Sequence, residues 1–281
     1  MHVPPYAKEA LWREGIRAMF LLVSVVLAFV TILFSFEWWY ADAQRELAGL
    51  APLPAHCNVS VIAVTGPIGM STNDQSIYTD VDTTLSQLRS AEQDPTIQAV
   101  LVRVDSPGGA PVASDILSAA LKKSTLPVAA VIRDIGTSGA YLVATGARYI
   151  AAYPSSEVGS IGVTASYLDE SGKNTEEGYR FISLTSAPYK DMLNPSRPLS
   201  EKERLLIQRD LESVHTDFVR AVARNRSLPS EDIEKLADGS SMTGSLALQR
   251  KLIDSTGGEY AALSWIAEKT GIAVPDVVLC E

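Results

Sequence analysis

Residues 97–141 read IQAVLVRVDSPGGAPVASDILSAALKKSTLPVAAVIRDIGTSGAY, and the order of elements in this stretch decides the fold. Ile97 to Val104 is a nearly all-apolar run that stops at Asp105-Ser106-Pro107-Gly108-Gly109, a turn-forming cluster. Val112 to Lys122 then places apolar residues three and four apart, the period of a helix with one buried face. Val128 to Ile132 is another continuous apolar strand, followed by Gly136-Thr137-Ser138-Gly139-Ala140-Tyr141 and a small-residue helix. Strand, helix and strand in this order, with strands apolar on both sides, predict an α/β domain with a parallel sheet covered on both faces.

The same alternation extends outward. Val59 to Val64 is a β-branched strand ending at Gly66-Pro67, and Val81 to Ala91 is a helical pattern between it and the second strand. Further on, Phe181 to Leu184 reads as a strand, and Ser200 to Arg226 as a long charged amphipathic helix opened by Ser200 with Glu203 three residues later, a capping box. Shorter helices are expected at 230–237, 245–251 and 260–269, and a last strand at Val277 to Leu279.

The N-terminal part is different in kind. Ala18 to Phe36 (AMFLLVSVVLAFVTILFSF) carries no charge, and about 20 such residues cross a bilayer as a helix. Trp38, Trp39 and Tyr40 follow it and suit the headgroup zone, while Lys8, Arg13 and Arg17 precede it, so the N-terminus is expected on the cytoplasmic side and the rest of the chain across the membrane. The expected division is a cytoplasmic N-terminus at 1–17, an anchor at 18–40, a stalk at 41–57 and a catalytic domain at 58–281. A cleaved signal peptide is the competing reading, because Ala41-Asp42-Ala43 has the small-x-small form of a cleavage site; the apolar run is longer than a usual signal core.

A chain of 281 residues that is 46% hydrophobic can bury a core, and its formal charge of -9 excludes nucleic acid as a partner, which requires clustered Lys and Arg. Cys57 and Cys280 form no CxxC pair, so neither a zinc knuckle nor a disulfide framework is indicated; a single bridge between them stays open.

In a parallel sheet, ligands bind beyond the carboxyl ends of the strands, and two strand ends here have unusual sequence. Gly108-Gly109 lets backbone N–H groups approach a ligand, as an oxyanion hole requires, or forms a plain tight turn. Ser138, at a strand-to-helix junction, is either a nucleophile or an ordinary helix cap, and Ala140 departs from the G-x-S-x-G elbow. A serine nucleophile needs a base. His2 and His56 lie in or before the stalk and His215 in a charged helix, which disfavours a Ser-His-Asp triad and leaves a desolvated lysine as the alternative. Lys190, in Ala187-Pro188-Tyr189-Lys190-Asp191-Met192, has an apolar setting that fits such a base, and fits a surface lysine as well.

Taken together, the DSPGG turn, the Thr137-Ser138-Gly139-Ala140-Tyr141 helix start, a strand at Gly159-Ser160-Ile161-Gly162-Val163, the Tyr189-Lys190-Asp191-Met192 segment, and Met242-Thr243-Gly244-Ser245 with Ile253-Asp254 resemble the signal peptide peptidase A family of bacterial serine peptidases. The likeness runs over most of residues 58–270. It implies a Clp-protease/crotonase-like fold, Ser138 as nucleophile, Lys190 as general base, Ser160 as the hydroxyl that orients the lysine amine, and the N–H groups of Gly109 and Gly139 as oxyanion hole. It also implies no metal or cofactor, and a homo-oligomer, a ring of about eight, in which the lysine of one protomer completes its neighbour's site. Two positions depart from the family pattern: Ala140 stands where glycine is usual, and Lys251-Leu252-Ile253-Asp254 replaces Gly-Leu-Val-Asp.

The apolar span and the resemblance together give the expectation of a single-pass protein of the bacterial inner or cell membrane, with its catalytic domain on the periplasmic or extracytoplasmic side. Its expected substrates are peptides with apolar segments, such as remnant signal peptides. The alternatives are a quality-control peptidase that cuts apolar tails of membrane proteins, a crotonase-like acyl-CoA enzyme, and a catalytically silent membrane scaffold. A lysine acting as base predicts activity that rises toward alkaline pH.

Overall fold

The computed structural model describes residues 30–33, 35, 57–70 and 79–280, and the chain divides into two units, residues 1–55 and 56–281. Of the first unit, residues 30–33 and 35 are helical. The rest of the expected anchor at 18–40, and all of the stalk except Cys57, lie outside the described residues. Among the described residues no helix is long and apolar enough to cross a membrane.

In the second unit the apolar runs form strands β1 (Val59–Thr65), β4 (Ala99–Ser106) and β5 (Val128–Thr137), joined in parallel with β4 in the middle. Short strands β2 (Ile68–Gly69) and β3 (Thr79–Asp80) make a separate pair. With β6 (Tyr149–Ala152), β7 (Glu157–Gly159), β8 (Ser241–Thr243) and β9 (Leu279–Cys280), the main sheet has seven strands in the order β8-β7-β5-β4-β1-β9, with β6 also on β5. Among the described residues only the β7–β8 pair in this sheet is antiparallel.

Strand alternation sorts the core into two layers. Val100, Val102, Val104, Ala130 and Ile132 face one way and bury the apolar stripes of α1 (Val81–Gln93), α2 (Pro111–Lys123) and the start of α3 (Gly139–Thr145). Ala99, Leu101, Ala129, Val131 and Ala151 face the other way, and their small size admits α8 (Gly258–Thr270) through Ala262 and Ile266. On that side the Arg103 guanidinium pairs with Glu259 at 2.8 Å, tying α8 to β4. Helices therefore cover both faces, as the sequence predicts.

The remaining helices are α4 (Ser171–Glu176), α5 (Glu201–Arg226), α6 (Ser230–Glu234) and α7 (Gly244–Gln249). The capping box of α5 is present: Ser200 Oγ accepts from Glu203 N, and the Glu203 carboxylate accepts from Ser200 N at 2.9 Å. Two expected strands need correction. Phe181 to Leu184 is irregular and exposed, and among the described residues no strand offers it backbone partners. The strand expected over 159–163 ends at Gly159, because the positive φ of Ser160 (51°) turns the chain away from the ladder.

Cys57 and Cys280 form a disulfide across 223 residues, settling the bridge that the sequence left open. It staples β9 to the start of β1, where Val59 pairs with Leu279. Replacing both cysteines with serine is expected to lower unfolding stability by about 2–5 kcal/mol, since the long loop then regains its freedom in the unfolded chain. Chemical denaturation of wild type with and without reductant, beside the double variant, checks this.

Candidate active site

Ser138 sits where β5 gives way to α3, with φ 53° and ψ −127°. A non-glycine residue rarely adopts this conformation, and it costs on the order of 1–3 kcal/mol unless its surroundings impose it. Several contacts impose it here. Ser138 N donates to Gly159 O at 2.8 Å, and Leu142 N donates to Ser138 O at 3.1 Å. Behind the serine, the fully buried Tyr141 donates its hydroxyl to Leu252 O at 2.8 Å. Burial holds that phenol well above its ordinary pKa, so it remains a neutral donor. The Leu252 segment is itself clamped: Arg226 of α5 pairs with Asp254 at 2.8 Å and donates to Lys251 O, while Asp254 accepts from Ile150 N at 2.8 Å. Lys251, which stands where the family pattern has glycine, lies at φ 61°, in the left-handed region that glycine favours, and the Arg226 bond to its carbonyl holds it there.

The Pro107-Gly108-Gly109 turn is pressed against the serine. Ile68 N donates to Gly108 O and Ala110 N donates to Ile68 O, both at 2.9 Å, so β2 holds the turn from outside. This pattern points the N–H of Gly109 to the opposite side, toward Gly139. A Cβ built on Gly139 would lie 3.3 Å from Gly109 N, and one built on Gly108, at φ 102°, would lie 2.7 Å from Gly139 N. Among the described residues neither the Gly109 nor the Gly139 N–H has an acceptor. Two unspent donors beside a serine hydroxyl are what an oxyanion needs. Ala140 is fully buried and lines neither cavity beside Ser138, so its methyl group fills core rather than site.

Two cavities meet at Ser138. One, of about 520 Å³, has apolar walls from Leu142, Val163, Val214, Phe218 and Ala221, with Asp115, Asp217 and Arg224 at its charged parts. The other, of about 430 Å³, is more polar and holds Ser160, Glu212, His215 and Asp238. Ser160 Oγ donates to Gly239 O at 3.0 Å, which leaves its lone pairs free to accept from an amine. His215 Nε2 lies 3.0 Å from Ala237 O; a carbonyl can only accept, so this nitrogen carries the proton.

A match to the model of peptidase family S49 covers residues 120–273, which include Ser138, Ser160 and Lys190. The chain belongs to peptidase family S49. It is similar to a putative protease of Methanocaldococcus jannaschii, 32% identical over 69% of this chain and 63% of that protein. A putative signal peptide peptidase SppA of Enterococcus faecium is 30% identical over 78% of this chain and 63% of its own length. A putative protease of Synechocystis is 34% identical over 78% of this chain and 76% of its own length. The chain thus spans somewhat less than two thirds of the first two relatives. The mostly parallel sheet flanked by helices fits the Clp-protease-like architecture expected of the S49 family.

Of the residues singled out in the sequence, the structure brings together Ser138, Ser160, Gly109 and Gly139, but not Lys190. Lys190 is exposed within the single chain and lines neither cavity at Ser138, in contrast to the dry apolar setting its neighbours suggest. It lies on an arm, residues 164–200, in which no residue is buried and in which Leu168, Tyr179, Ile182 and Leu184 present apolar side chains to solvent. Sequence reasoning also missed the walls supplied by α5. Gln208, Leu211, Glu212 and His215 form one stripe and Val214, Asp217, Phe218, Ala221 and Arg224 a second, both at helical spacing. That spacing was visible; its direction was not.

Proposed function

We propose that this protein is a membrane-anchored serine endopeptidase that cuts apolar peptides, remnant signal peptides among them, on the extracytoplasmic side of a bacterial inner membrane. The observation that carries this reading is Ser138, held at a strained strand-to-helix junction with the two unspent N–H groups of Gly109 and Gly139 beside it and an apolar groove alongside. Ser138 Oγ attacks the peptide carbonyl and its proton passes to the general base. The carbonyl oxygen, now negative, takes the two N–H groups; the C–N bond breaks and the base returns the proton to the leaving amine. Water activated by the same base then hydrolyses the ester.

Lys190 of a neighbouring copy is the base, with its amine entering the polar cavity beside Ser160. Support comes from the exposed apolar arm that carries Lys190, since such a surface in a folded domain marks an interface. A ring of such copies, about eight by family analogy, places every lysine at the next subunit's serine. The disulfide supports an oxidising, extracytoplasmic compartment.

The principal test incubates the oligomer with a signal-peptide-like apolar peptide and reads fragments by mass spectrometry. Cleavage by wild type and none by Ser138→Ala is expected; an intact peptide, or equal cleavage by both, refutes the reading. A second assignment of the base follows from His215, which lines the same cavity with Nδ1 free to accept a proton. The lysine reading expects His215→Gln to retain activity within a few-fold, and loss comparable to that of Lys190→Ala would move the base to the histidine.

A further inference from the structure

Lys190 lies in a run of turns, with Lys190 N donating to Ala187 O at 3.2 Å and Met192 N to Tyr189 O at 3.4 Å. Such turns are soft, and a base must be held within fractions of an ångström of its working place. The residue next to it, Asp191, is where the segment is fastened. Its Oδ1 accepts from Asn194 Nδ2 at 2.9 Å, and its Oδ2 accepts from Ser183 Oγ at 2.9 Å and from Arg197 Nε at 3.4 Å. The Asp191 carbonyl oxygen accepts from Arg197 Nη2 at 2.7 Å. With these donors in place, the Asp191 carboxyl is held below its usual pKa, through the Asn194 bond first.

The other edge of the same guanidinium reaches Glu203, with Nη1 to Oε2 at 3.0 Å and Nη2 to Oε1 at 2.5 Å. The Glu203 side chain is 4% exposed and belongs to the capping box that starts α5. Its pKa is lowered to about 2, chiefly by the Arg197 hydrogen bond. Arg197 is therefore the joint between the lysine-bearing turn and the helix whose side walls both cavities at Ser138.

We propose that Arg197, acting through Asp191, is a positioning residue for Lys190: it fixes the turn that projects the lysine and keeps the adjacent carboxylate turned away from its amine. Both parts matter for a base. A loose turn spends the lysine among many orientations, and a free carboxylate beside the amine would favour the ammonium form, which accepts no proton. Among the described residues the Lys190 amine has no ion-pair partner, and the charged groups facing Asp191 are Arg197 and, through it, Glu203. A guanidinium is required because one lysine amine at 197 has no second planar edge with which to bridge Asp191 and Glu203 at once.

This inference rests on the lysine-dyad reading, and the experiment separates the two. The full-length protein is compared with Lys190→Ala, Asp191→Asn, Arg197→Gln and the Asp191→Asn/Arg197→Gln double variant, with Arg204→Gln, whose exposed pair with Glu201 lies away from the turn, as control. Turnover and KM across pH, melting temperature and oligomer size are read for each. Asp191→Asn keeps the Arg197–Glu203 pair and so keeps α5 capped. It is expected to lower kcat by about ten- to a hundredfold, with KM within about twofold and unchanged melting and oligomer size. Arg197→Gln frees the carboxylate, so the rising limb of its pH profile moves to higher pH, and removing that carboxylate in the double variant moves the limb back.

Wild-type kcat and an unmoved limb in Asp191→Asn and Arg197→Gln, with Lys190→Ala inactive, would overturn the positioning role and leave the dyad standing. Loss of activity in parallel with melting temperature or oligomer size in Asp191→Asn would assign the cluster to structure alone, and also overturns the inference. Retained activity in Lys190→Ala overturns the dyad reading itself. Should Arg197→Gln fail to fold with Glu203 left buried and unpaired, the kcat and KM of Asp191→Asn decide.

Discussion

Ser138→Ala and Lys190→Ala subunits, each without measurable turnover when assembled alone, are expected to recover activity when co-assembled. Removing either the nucleophile or its base should lower kcat by about 10⁴–10⁶-fold, because the two act as a unit. If serine and lysine came from one chain, mixing two defective chains would restore nothing. If they come from adjacent chains, a Lys190→Ala subunit still offers Ser138, and a Ser138→Ala neighbour still offers Lys190. In a ring assembled at random from equal amounts, about a quarter of the sites then receive both groups, so activity should return to about a quarter of wild type. The physical basis is the placement of Lys190 on an exposed arm outside both cavities at Ser138. Peptide cleavage by co-expressed, differently tagged subunits measures it, and activity that stays at background contradicts a shared site.

Gly108→Ala is expected to produce the largest loss of activity among changes that touch neither the serine nor the lysine. At φ 102° an alanine is strained, and its methyl group would stand 2.7 Å from Gly139 N, 2.9 Å from Ser138 Cβ and 3.0 Å from Thr137 O. Backbone must yield, and the backbone that yields carries the two N–H groups proposed as oxyanion donors. Loss of one such donor costs about 10²–10³-fold in kcat, and the drop should fall on kcat more than KM because the oxyanion forms only in the transition state. Gly69→Ala is the control, since among the described residues a Cβ there meets nothing within 4 Å and leaves the nearby β2 contacts with the turn in place. Equal kinetics for the two variants would show that this turn takes no part in catalysis.

Much of the architecture was legible because it follows from local pattern. β4 and β5 contain runs of apolar residues buried on both sides, β1 buries Val59, Ile62 and Val64 and exposes Ala63 and Thr65, and α1, α2, α5 and α8 repeat their apolar residues with the turn of the helix. The serine at the end of β5 and the paired glycines at the end of β4 were legible for the same reason, since strand ends are where a parallel sheet opens to ligands. Phe181 to Leu184 shows where pattern fails. Its residues are suited to a strand, but a strand exists only when another backbone takes up its hydrogen bonds, and among the described residues none does.

What the sequence determined by itself was therefore the order of elements, the position of Ser138 and of the paired glycines at strand ends, and the membership of a peptidase family. Tertiary structure decided the rest. It joined Cys57 to Cys280 over 223 residues, turned two stripes of α5 into the walls of the cavities at Ser138, and left Lys190 outside them on an arm bound through Arg197 to Glu203. Periodicity reports which face of an element is apolar, and only packing of distant segments decides what that face meets.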